Sequence, residues 1–89
     1  MNIQQTSLQA YDALDNLGER QKSVFQTISS FRECTNAMIA YRLGVPINCI
    51  TPRTNELVKL DMVVKSYIDN CPITKHRAIY WKINDTAKL

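Results

Sequence analysis

The sequence predicts an α+β fold in which helices are followed by a β-hairpin, and three observations predict it. Apolar residues recur at helical spacing as far as Leu60. After Asp61 the period changes to alternation. Two glycines, Gly18 and Gly44, stand where one helix would give way to the next. The 89 residues suffice for one small domain with a single modest core. A content of 45% hydrophobic and 21% charged residues is that of a globular chain, not a disordered one.

Residues 1–6 are polar and expected to be loose. Residues 7–17, SLQAYDALDNL, set Leu8, Tyr11, Leu14 and Leu17 on a drifting stripe, with Thr6 or Ser7 available as N-cap, and read as a short helix. Gly18 ends it and caps the next. Residues 19–30, ERQKSVFQTISS, place Val24, Phe25 and Ile28 on one face with Glu19 near the positive end of the helix dipole, and the Ser29-Ser30 pair is expected to end this helix. FREC (31–34) reads as a brief extended piece. Thr35 then caps NAMIAYRL, whose Ile39, Ala40 and Leu43 face inward and which Gly44 closes. Val45-Pro46-Ile47 forms the turn.

The helix that follows, roughly residues 48–60, contains Pro52. A proline in a helix interior costs ~3 kcal/mol or more, whereas in the first turn the N–H it lacks has no intrahelical partner. The helix therefore begins close to Pro52. At about 100° per residue from Ile50, Leu57 returns near the start, flanked by Thr54 and Leu60. Thr51, Pro52, Asn55 and Lys59 fall on the opposite face, with Asn48 just ahead. Arg53 lies at the edge of the apolar stripe, where a phosphate contact and a salt bridge are both open.

Beyond Asp61, MVVKSYI (62–68) reads as a strand, DNCPITKH (69–76) as a turn-rich connection and RAIYWKI (77–83) as the return strand. Ile79, Trp81 and Ile83 share one strand face, which assigns Ile79 and Trp81 to the core. The tail should fray. The chain divides into an arm with a short helix (1–17), a folded domain (18–84) and a frayed tail (85–89).

The net charge is +3. Residues 1–50 balance four bases with four acids, while residues 51–89 hold seven bases and four acids, so the whole excess lies in the second half. That bias suits a polyanionic partner. Cys34, Cys49 and Cys71 are widely spaced, form no CxxC and have one histidine, His76, for company, so neither a metal nor a cofactor is expected. They read as reduced thiols of a cytoplasmic protein, at least one packed as a small hydrophobe. The longest apolar run is a few residues, which gives no reason to expect a membrane partner. With two glycines there is no glycine-rich phosphate loop, and the lone histidine has no serine or acid at a recognisable spacing, so an enzyme is not expected.

The order helix, extended piece, helix, tight LGVP turn, helix and hairpin resembles the winged helix-turn-helix family, and especially the small winged-helix proteins of phage and prophage genomes. The similarity runs from TSLQAY to AIYW and is most specific in LGVPINCITPRTNELVKLDMV and KHRAIYWKI. It implies a three-helix core with a C-terminal hairpin wing, here with an extra N-terminal helix. It also implies double-stranded DNA binding by a small transcriptional or replication-associated regulator, with the helix over 48–60 in the major groove. The implied contacts are Asn48, Thr51, Arg53, Asn55 and Lys59 on that helix, supported by Lys75, His76 and Arg77 on the wing. Asn can pair bidentately with adenine, and Thr can reach a base or a thymine methyl. Tyr41 is open to phosphate contact or to packing. Two features depart from the family pattern. Asp61 stands where glycine is common, and Asp69, Asn70 and Cys71 leave the first half of the wing short of bases, against insertion into the minor groove. The alternative use of such a fold is a protein–protein interaction module working through the same helix face. Helix-turn-helix proteins commonly dimerise. Leu8, Tyr11 and Leu14 would either form a weak two-fold contact or pack on the domain's own core.

Overall fold

The computed structural model describes residues 17–84. In chain order they form α1 (Glu19–Phe31), α2 (Asn36–Leu43), a 3-10 turn (Ile47–Cys49), α3 (Thr51–Lys59), β1 (Val63–Asn70) and β2 (Arg77–Ile83). The expected helix over 7–17, with its Leu8, Tyr11 and Leu14 stripe, and the tail over 85–89 lie outside the described residues. Leu17 alone is in view, half-buried against the core.

Gly18 caps α1 in extended conformation, and the side chain of Gln21 accepts its N–H at 2.9 Å. The Ser29-Ser30 pair does not end the helix, which continues to Phe31. Thr27 and Ser30 return their hydroxyls to the carbonyls of Ser23 (2.7 Å) and Thr27 (2.9 Å), so these polar side chains are satisfied without breaking the helix. The extended piece narrows to a single antiparallel bridge. Cys34 N–H donates to the Trp81 carbonyl at 3.0 Å and Trp81 N–H returns to Cys34 at 2.8 Å.

Thr35 caps α2 as expected, its hydroxyl accepting from Met38 N–H at 3.1 Å. Gly44 closes α2 in the left-handed region (φ 69°, ψ 34°). Val45 N–H bonds back to Ala40 and Gly44 N–H to Tyr41, which is the Schellman pattern. The same pattern ends α3 with no glycine: Met62 N–H reaches Leu57 and Asp61 N–H reaches Val58, each at 3.0 Å, with Asp61 at φ 61°.

Helix α3 is shorter than the expected 48–60. Residues 47–49 wind as a separate 3-10 turn, Ile50 is buried between the two, and the α-helix starts at Thr51 with Pro52 second. Leu60 follows the helix as an exposed residue instead of flanking the core, because the chain is already turning through Asp61.

Val24 and Ile28 of α1, Cys34, Ile39 and Ala40 of α2, Ile50, Leu57 of α3, Met62 and Val63 make the core, with Trp81 and Ile83 packed against it. Thr54 is buried among them, and its hydroxyl donates to Asn36 Oδ1 at 2.8 Å, which ties α3 to the start of α2.

The two strands pair antiparallel, Val63 with Ile83 through Asn70 with Arg77. β2 has the expected bounds, while β1 runs on to Asn70. A bulge between Lys65 and Tyr67 shifts the register. The hairpin therefore extends past the core. Ile79 is half-buried, pairs with the exposed Ile68 and is not a core residue, contrary to the alternation pattern. In the loop, Cys71 N–H donates to His76 and Lys75 N–H to Cys71, both at 2.8 Å. No helix among the described residues is long and apolar enough to cross a membrane.

Candidate nucleic-acid interface

Burial of Thr54 and Leu57 sets the rotation of α3, since both are fully enclosed. Thr51, Pro52, Asn55 and Lys59 are consequently exposed together, as the helical projection expects, and Asn48 is exposed on the 3-10 turn before them. The side-chain amides of Asn48 and Asn55 make no hydrogen bond among the described residues, so their donors and acceptors face solvent. Thr51 makes one long contact, 3.4 Å to the Ile47 carbonyl.

Arg53 differs. Its Nε and Nη2 both donate to the Glu56 carboxylate at 2.8 Å, a bidentate ion pair along the helix. Gln21 Nε2 of α1 donates to the same carboxylate at 2.7 Å. These three hydrogen bonds, the Arg53 pair first, hold the Glu56 carboxyl below its ordinary value, with the charges of Arg53 and Lys59 adding to them. Of the two uses open to Arg53 in the sequence, the structure has the salt bridge.

Lys75, His76 and Arg77 are exposed at the end of the hairpin loop, and their side chains make no hydrogen bond among the described residues. Lys75 takes φ 66°. The loop is tethered: the Thr35 hydroxyl and Cys71 Sγ lie 3.0 Å apart. Burial raises the Cys71 thiol, but hydrogen bonds to the sulfur from Thr35 and from the backbones of Thr74 and Ile73 outweigh it, and the net shift is downward.

This tether brings the hairpin loop to the turn between α2 and α3. Ile73 and Thr74 of the loop, Tyr41 of α2 and Ile47 of the turn line one open cleft. Asn48 follows Ile47 and Lys75 follows Thr74 in the chain, so each set of candidates adjoins a residue that lines the cleft. Tyr41 (77% exposed), Ile47 (48%) and Ile73 (43%) make its rim apolar. Sequence reasoning left Tyr41 open and missed the other two. The available signal was that each isoleucine follows a proline in a turn, Pro46 and Pro72, where a core residue is out of place.

Tyr67 and Tyr80 stack with ring centroids 4.7 Å apart. Burial raises both phenols first; Glu33 and Asp69 add to it at Tyr67, and Cys71, Tyr67 and Asp69 at Tyr80. Compared with protein-family models and with curated proteins, the chain matches none.

Proposed function

We propose that the protein binds double-stranded DNA as a winged helix-turn-helix, a small regulator of transcription or replication. The observation that carries this reading is the solvent-facing row of Asn48, Thr51, Asn55 and Lys59, with both amides unengaged, on a helix whose rotation its buried side fixes. Such a row can meet base edges through Asn and Thr and a phosphate through Lys. Lys75, His76 and Arg77 on the tethered loop supply flanking phosphate contacts. Arg53 drops out of the contact set because Glu56 occupies its fork. The reading extends to a weak two-fold pair through Leu8, Tyr11 and Leu14, since one helix offers few base contacts.

Gel-shift selection on random duplex DNA tests the proposal: an enriched site and binding that weakens steeply with salt are expected. A second reading, a winged-helix module that meets a protein, is favoured by the apolar rim of Tyr41, Ile47 and Ile73. No enrichment and no duplex binding at low salt would leave that reading in place of the first.

A further inference from the structure

Along the half-buried edge of α3, toward its exposed row, stands one acid between two bases. Glu56 stands three residues after Arg53 and three before Lys59, a spacing that makes neighbours on a helix surface. Arg53 meets the carboxylate with Nε and Nη2, the edge with which a guanidinium would otherwise take a phosphate. Gln21 approaches from α1, and its own carbonyl is held by Gly18 N–H, so the carboxylate is fixed in place from a second helix.

We propose that Glu56 is an internal stand-in for phosphate, occupying Arg53 and withholding its charge from the DNA. The inference rests on the DNA-binding reading above and names what limits its strength. Binding without sequence preference scales with the number of phosphates neutralised, and each one steepens the log–log salt dependence by about 0.9. A carboxylate that cancels one cation lowers this background while leaving the base contacts of Asn48, Thr51 and Asn55 intact. Specific and non-specific binding fall together, because a phosphate contact is made on every sequence. Glu56 sets the strength and the salt dependence of duplex binding and touches no base.

The test measures affinity for a random-sequence duplex over a series of potassium chloride concentrations, for the parent, E56Q, R53A and the double variant. Glutamine keeps an oxygen for Gln21 and removes the charge. E56Q should bind several-fold more tightly, with a salt dependence steeper by about 0.9. R53A should leave the parent's salt dependence unchanged, and in the E56Q background it should abolish the gain. A parent that binds duplex with an E56Q dependence identical to its own overturns this proposal alone. An R53A single variant whose dependence is already shallower by about 0.9 does the same. A parent that binds no duplex at any salt overturns both this proposal and the reading beneath it. Should E56Q fail to fold, E56A replaces it: a salt dependence steeper by about 0.9 supports the stand-in, and an unchanged one overturns it.

Discussion

Asp61 and Gly44 sit at equivalent points in two equivalent helix ends, yet only one is glycine. A left-handed backbone strains a residue that has a Cβ, less for Asp than for most. Asp61→Gly should therefore raise stability by about 0.5–1 kcal/mol, part of the relief being offset by the freedom glycine gains in the unfolded chain. Asp61→Val should lower it, and chemical denaturation of the three proteins checks the order. Cys34 makes a different prediction. Burial pushes its thiol up to about 12, against the opposing pull of Arg42, from an ordinary value of 9.0. Between those values the unfolded chain has released a proton that the folded chain keeps. Stability from this source is whole below pH 9.0 and falls as pH rises toward 12. Tyr67 and Tyr80 are also raised and act in the same direction. Melting temperature should drop on the alkaline side, and Cys34→Ala, though less stable at neutral pH, should show a shallower drop.

At the scale of elements, what the sequence made legible was periodicity and punctuation. Thr35 and Gly44 mark α2, the change of period marks the helix-to-strand corner, and β2 has its expected bounds because its alternation is unbroken. The misreadings share a cause: a one-dimensional pattern does not say where the core stops. Ile79 has the right parity, but a bulge and the length of the hairpin carry it past the core. Residues 48–50 have helical spacing, but a tight turn satisfies the same pattern. On the candidate site, the exposed row on α3 was legible from rotation alone. Glu56 was not, because its role depends on Gln21, 35 residues earlier in the chain. Gln21 thus serves two elements, closing the start of α1 and holding a side chain of α3. Gln21→Ala should cost about 1–2 kcal/mol, more than a surface glutamine ordinarily would. Equilibrium denaturation checks the size of the loss, and a value near zero would mean that the bridge contributes nothing.

For the molecule as a whole, the basic excess of residues 51–89 is not spread evenly. Arg53 is engaged by Glu56, while Lys59, Lys75 and Arg77 stay exposed and their side chains make no hydrogen bond among the described residues. This divides the variants by their signature. Asn55→Ala should cost about 1–3 kcal/mol on a selected site and relax the preference at one base position. Lys59→Ala should weaken all duplexes about equally and reduce their salt dependence. Binding titrations on a selected and a scrambled duplex separate the two effects, and variants that both bind like the parent would place the interface elsewhere. The Thr35 hydroxyl has a consequence on another timescale. It accepts from Met38 at the start of α2 and faces Cys71 at the start of the loop. The helix start and the hairpin tip are therefore one cooperative unit for local opening, although 33 residues separate Met38 from Cys71. In deuterated water the amide protons of Met38, Cys71 and Lys75 should exchange at similar rates, and Thr35→Val should release all three together while those of Ile28 and Leu57 remain protected.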